Sequence, residues 1–139
     1  KYKTNSGKTL IGQSLGGLLA TEILFTKSAL FNKYIIVSPS LWWNNGSLLK
    51  PQREKLSGNL SSPVAVYIGV GKEGLAPSET PHVMEVDANF LAEKLKNTGN
   101  PNLKTYFDYL PQEDHATISH QAISNAFKVL YPVKETANP

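Results

Sequence analysis

The chain contains no cysteine among its 139 residues, which excludes disulfide scaffolds, thiolate zinc sites and cysteine nucleophiles. Runs of basic side chains are missing as well. The 14 Lys and Arg against 11 Asp and Glu leave a formal charge of +3, scattered and too mild a balance for a nucleic-acid partner. No apolar run approaches the roughly 20 residues that span a bilayer, so no membrane partner is expected. Disorder is excluded by 40% hydrophobic and 18% charged residues with ordinary glycine and proline content. The length allows one domain over residues 1–139 with its own core and is too short for two. The first residue is Lys1, not Met, and no signal-like apolar segment precedes the first motif.

What is present alternates. Lys8 to Ile11 is a short β-type run, followed by a turn from Gly12 to Gly17. A helical pattern comes next, with Leu15, Leu18, Leu19 and Ile23 expected on its buried face. Tyr34 to Val37 and Val64 to Val70 are continuous apolar runs of the kind buried on both sides in a parallel sheet. Leu41 to Leu60 reads as a loop with a short helix near Ser47 to Leu56. Pro81 to Asn97 reads as a helix with Pro81 in its first turn, a stripe of Val83, Val86, Phe90, Leu91 and Leu95, and Gly99 as its stop. Lys104 to Tyr109 is a strand. Ile118 to Tyr131 is a last helix with Ile118, Ala122, Ala126, Phe127 and Leu130 facing inward. The tail from Lys134 to Pro139 is polar and reads as frayed. This order predicts an α/β fold, a parallel sheet of about four strands flanked by helices and joined by right-handed crossovers.

Gly12-Gln13-Ser14-Leu15-Gly16 is the pattern G-x-S-x-G. By chance it would arise in roughly 0.06 of chains of this composition, and its setting sharpens it: a strand run before, an amphipathic helix after. That is the context of a nucleophile elbow, a strained turn presenting a serine hydroxyl at the carboxyl edge of a sheet. Gly12 and Gly16 are expected to leave room for neighbouring backbone. The helix behind Ser14 aims unsatisfied N–H groups at the same point, so the Leu15 N–H is the natural first donor of an oxyanion hole. The bland alternative is a glycine-rich helix start with a capping serine.

A serine hydroxyl needs a base. Of the three histidines, His115 follows the fourth strand run and should reach the same edge as Ser14. His82 opens a helix on that edge and stays a candidate, whereas His120 lies within the last helix as a surface or packing residue. An acid should follow a strand between Ser14 and His115 in the chain. Glu73, just past Val70, fits best, although a solvated glutamate is nearly as good a reading. Asp87 is second. Asp114 adjoins His115, and neighbouring side chains usually point apart, so it is a poor orienter. Trp42 and Trp43, after the second strand run, read as core or as the wall of a substrate site, with one of them expected to line the site. Ser38 and Ser40 read as substrate binders or as turn hydrogen-bonders, the second reading being preferred.

Four stretches together resemble one family. They are Gly12-Gln13-Ser14-Leu15-Gly16-Gly17-Leu18, Tyr34 through Trp43 with its Ser38-Pro39-Ser40-Leu41-Trp42-Trp43 core, Gly71-Lys72-Glu73, and Asp114-His115-Ala116-Thr117. The chain is similar to the esterase D and enterochelin-esterase-like branch of the α/β-hydrolases, nearest to its siderophore-esterase-like members. The resemblance runs to about Tyr131. It implies a serine hydrolase acting on small-molecule carboxylic esters, with Ser14 as nucleophile, His115 as base and no metal or cofactor. Glu73 falls where the family's turn often carries an acid. Ala116-Thr117 departs from the glycine-containing turn common after the family's histidine.

In the family, the first strands of the sheet and a second oxyanion donor lie upstream of the nucleophile strand. The chain therefore reads as the C-terminal half of such a fold. Strand 8–11 would then be an edge with unpaired backbone groups, and a homodimer through that edge is expected. Two other functions keep the same features: an acyltransferase, and a non-catalytic domain that retains the fold alone.

Overall fold

Strands form where β-branched and aromatic residues concentrate, and here those runs are apolar throughout because helices cover both sides of the sheet. The computed structural model describes residues 2–51 and 60–133. Its four strands lie in the order β1-β2-β3-β4, every neighbouring pair parallel. They are β1 Thr9–Gln13, β2 Lys33–Val37, β3 Val64–Gly71 and β4 Leu103–Leu110. Helix α1 Leu15–Thr26 joins β1 to β2, and α3 Met84–Asn97 joins β3 to β4. A single turn, α2 Trp43–Gly46, follows β2, and α4 Ile118–Leu130 follows β4. The expected α/β architecture is what forms. Among the described residues no helix is long and apolar enough to cross a membrane.

Side-chain alternation along the strands sorts the core into two layers. Tyr34, Ile36, Val66 and Ile68 pack with Leu24 of α1 and Leu91 of α3, while Ile35, Val37 and Tyr67 pack with Ala122 and Ala126 of α4. On the α4 side, the Tyr67 hydroxyl donates to Asp108 Oδ2 at 2.5 Å, and the Asn125 amide donates to the same oxygen at 2.9 Å. Burial, and then the adjacent carboxylate, push the Tyr67 phenol well above its ordinary range. This cluster ties α4 to the two strands beneath it.

Several boundaries and faces differ from the expectations. β1 runs on to Gln13 rather than stopping at Ile11, because Gly12 and Gln13 still pair with Ile36 and Val37. The turn thereby narrows to Ser14. Helix α3 begins at Met84, and Pro81 lies outside it. A bridge between Leu75 and Val83, with the Ala76 N–H on the His82 carbonyl, holds the preceding residues extended.

The buried face of α1 is Gly17, Ala20, Thr21, Leu24 and Phe25. Of the expected stripe, Leu15 and Leu19 are 54% and 61% exposed, while Leu18 and Ile23 pack on the edge of the core. Val86 and Phe90 of α3 and Phe127 of α4 are likewise exposed rather than inward. Phe127 stacks on Tyr131 instead, with ring centroids 5.5 Å apart. Gly99, at φ +63, ends α3 as expected. Only Ser47–Leu49 of the short helix expected near Ser47 to Leu56 is seen, as one 3-10 turn. The remainder of that stretch from 52, and the tail from 134, lie outside the described residues.

Candidate active site

A parallel sheet brings the carboxyl ends of all its strands to one edge, and the chemistry-bearing residues collect there. β1 delivers Ser14, β2 delivers Ser38 and Ser40, β3 delivers Glu73, and the loop after β4 delivers His115. Ser14 has φ +56 and ψ −118, a backbone conformation that side-chain-bearing residues rarely adopt. Three hydrogen bonds hold it: its N–H on the Val37 carbonyl at 3.0 Å, and its own carbonyl accepting from Leu18 N and Ser40 N at 3.0 Å each. Gly12 is required for this turn, since a Cβ there would sit 2.2 Å from the Gly16 carbonyl oxygen. Gly17 allows a close approach as well, since a Cβ there would press on Pro39 Cα at 3.0 Å. The expectation for Gly16 needs correcting: a Cβ at that position meets nothing within 4 Å.

The structure brings Ser14, His115 and Glu73 into one hydrogen-bonded line. His115 Nε2 lies 3.1 Å from Ser14 Oγ, and His115 Nδ1 lies 2.6 Å from Glu73 Oε2. The Glu73 side chain is 3% exposed and that of His115 47%, so the carboxylate is enclosed while the imidazole stays open to an incoming molecule. Glu73 is held by more than His115. Its Oε1 accepts from the Ser38 hydroxyl and from the Gly71 N–H. The turn carrying it is fixed in turn by Glu85, at the start of α3, whose carboxylate accepts from the Glu73 and Gly74 N–H groups.

The His115 loop is seated on two strands. Gln13 donates from Nε2 to the His115 carbonyl at 2.9 Å and accepts from the Ser119 hydroxyl. On the other side, the Lys72 N–H donates to the Glu113 carbonyl at 2.8 Å. Gly71 makes that approach possible, because a Cβ there would lie 2.5 Å from the same oxygen. Asp114 does not orient His115. Its Oδ1 accepts from the Ala116 and Thr117 N–H groups at 2.8 and 3.0 Å, and those bonds hold its carboxyl below the usual range.

The remaining candidates go elsewhere. His82 Nδ1 bonds Asp87 Oδ2 at 2.8 Å, the two being largely buried together. Desolvation raises the Asp87 carboxyl above its ordinary range, with the bond to His82 opposing. His120 is exposed on α4.

Trp42 and Trp43 stand with ring centroids 5.7 Å apart and, with Leu15, Leu18, Leu19 and Leu48, line a cleft of about 820 Å³. Ser14 is not among its lining residues, but Leu15, the next residue, is. The cleft therefore opens beside the hydroxyl rather than around it. Asn44 and Asn45, both in left-handed conformation, also line it, as do Ser78, Glu79 and Thr80. Sequence reasoning preferred turn hydrogen bonds for Ser38 and Ser40, and it missed the roles of Gln13 and Glu85. Ser38 leaves one trace: φ +43 with a buried hydroxyl, which only coordinates reveal.

No family model matches the chain. Individual relatives do. The chain is 47% identical over 57 residues to the siderophore enterobactin esterase of Emericella nidulans, covering 40% of this chain and 19% of that protein. It is 28% identical over 130 residues to the ferri-bacillibactin esterase BesA of Bacillus subtilis, covering 90% of this chain and 43% of that one. The crystal structure of the BES protein from Bacillus cereus superposes with a TM-score of 0.76 at 35% identity, over 90% of this chain and 45% of that chain. The chain thus spans less than half the length of these relatives. In sequence and in fold the chain is thus similar to these esterases, over less than half of their length.

Proposed function

We propose that the chain carries the catalytic machinery of a serine esterase, with Ser14, His115 and Glu73 as its triad. The observation that carries this reading is the hydrogen-bonded line from Glu73 through His115 to Ser14 at a strained strand–helix turn. Glu73 accepts a hydrogen bond from the His115 Nδ1–H and so fixes the tautomer in which Nε2 is unprotonated. The Ser14 hydroxyl then donates to Nε2, and Oγ attacks the ester carbonyl as that proton moves. The imidazolium formed is stabilised by Glu73. The Leu15 N–H, at the positive end of α1, is the oxyanion donor this chain supplies. His115 returns its proton to the departing alcohol, leaving an acyl group on Ser14. Water then adds to the acyl carbonyl as His115 takes its proton, the bond from the carbonyl carbon to Ser14 Oγ breaks, and His115 returns the proton to Oγ as the acid leaves.

The cleft supports a substrate class. Two indoles and four leucines beside the nucleophile suit an ester with a bulky, flat, partly apolar group. The relatives' names point to siderophore esters, and such a molecule is the proposed substrate. No nucleic acid enters the proposal. The open edge of β1 is proposed to pair with a second copy of the chain.

The experiment is labelling with a fluorophosphonate probe together with hydrolysis of p-nitrophenyl esters. Ser14 is expected to label, and Ser14→Ala to lose labelling and about 10³-fold or more in rate. Equal hydrolysis by the Ser14→Ala chain would remove the reading.

A further inference from the structure

Ser14 Oγ has a second neighbour besides His115. Ser40 Oγ stands 3.2 Å away, and Ser40 is 2% exposed. Its backbone is fixed independently of its hydroxyl, by its N–H on the Ser14 carbonyl at 3.0 Å and by its carbonyl accepting from Trp43 N at 3.1 Å. Proton counting sets the direction of the contact. With Nδ1–H on Glu73, His115 Nε2 is an acceptor, so the only Ser14 hydroxyl proton goes to it. The contact with Ser40 then has one possible sense: Ser40 donates to Ser14 Oγ.

We infer that Ser40 is a further catalytic residue, whose hydroxyl stabilises Ser14 Oγ as the leaving group when the acyl-enzyme is hydrolysed. The inference rests on the esterase reading. In that step water adds to the acyl carbonyl and passes a proton to His115. The bond between the carbonyl carbon and Oγ then breaks, the electron pair goes to Oγ, and the His115 proton follows it. Charge builds on Oγ as the bond breaks, and a donor already in place strengthens its bond there.

The two halves of the reaction differ in what they start from. Free Ser14 is a hydroxyl, a good acceptor, so in acylation Ser40 stabilises ground state and transition state alike. In the acyl-enzyme Oγ is an ester oxygen, a poor acceptor, so the bond is gained mainly in the transition state. Only a differential gain accelerates a step, and Ser40 therefore acts chiefly on deacylation.

The test compares Ser40→Ala, Ser40→Thr and the unaltered chain with p-nitrophenyl acetate, reading three quantities. These are the fluorophosphonate labelling rate, the steady-state rate after the burst, and the fraction of chain carrying an acetyl group by intact mass. Ser40→Ala is expected to label within about twofold of the unaltered chain, to deacylate roughly tenfold more slowly, and to accumulate acetyl-enzyme. Ser40→Thr, which keeps a hydroxyl, is expected to recover most of the deacylation rate. Equal slowing of labelling and deacylation would mean a merely structural role and overturn the inference, as would an unchanged deacylation rate. An unaltered chain that does not label would overturn both this role and the esterase reading. An unaltered chain and a Ser40→Ala chain that both label, without acetyl accumulation in the latter, would overturn this role alone.

Discussion

Glycine is needed at Gly12 and not at Gly16, and the difference is measurable. A methyl group at Gly12 runs into the Gly16 backbone at 2.2 Å, which no rotamer relieves, whereas the same addition at Gly16 meets open space. Gly12→Ala is expected to cost more than ~3 kcal/mol or to prevent folding. Gly16→Ala, inside α1, is expected to gain about 0.5–1 kcal/mol from helix propensity. Urea titrations of the two variants check both. The spacing of G-x-S-x-G was enough to locate Ser14, yet it could not say which glycine the turn requires, since that depends on where backbone passes in space. The same limit left Ser38 and Ser40 as turn hydrogen-bonders. A hydroxyl at the end of a strand is ambiguous until the residue opposite is known, and Glu73 lies 35 positions from Ser38. His115 and Glu73 were legible because chain order and strand ends constrain where a base and an acid arrive.

Helices were harder to read by face than by position. Helix α1 has leucines on every side, so its periodicity carries little contrast. What decides its orientation is the small pair Gly17 and Ala20, which allows close approach to the sheet and to Pro39. The leucines on the far side are then free to wall the cleft. Pro81 misled for a different reason: the bridge between Leu75 and Val83 competes with helix and wins locally. Just beyond it, the His82–Asp87 pair clasps the entry of α3, and its titration makes a prediction. Burial raises the Asp87 carboxyl above its unfolded value of 3.8, so the folded state binds that proton more tightly. The stability this contributes is present below the unfolded value and is lost as pH rises through the folded one. Asp87→Asn still offers His82 an acceptor and does not titrate. The unaltered chain should therefore melt higher, relative to Asp87→Asn, at about pH 3 than at about pH 7. A melting-temperature difference that stays constant, or moves the other way, would count against this account.

As a body, the molecule is a parallel sheet with one long side unfinished. Among the described residues β1 pairs with β2 alone, and Ile11 on it is 43% exposed, an arrangement prone to recruit another strand. Pairing with a second copy predicts the mass of two chains in light scattering and of one chain for Ile11→Lys, with Ser14 labelling retained. A single-chain mass for both would remove the dimer proposal. The parallel sheet was legible from the alternation of strand and helix runs, whereas the edge at 8–11 was expected from the family resemblance and not from the residues themselves.

That same ordering has a temporal side. In synthesis Ser14 precedes by 101 residues the imidazole that is its base in the proposed mechanism. It is seated only when the loop beyond β4 lies across Gly71 and Gln13. In that mechanism a growing chain carries its nucleophile in unreactive form until the segment holding His115 has been made and seated.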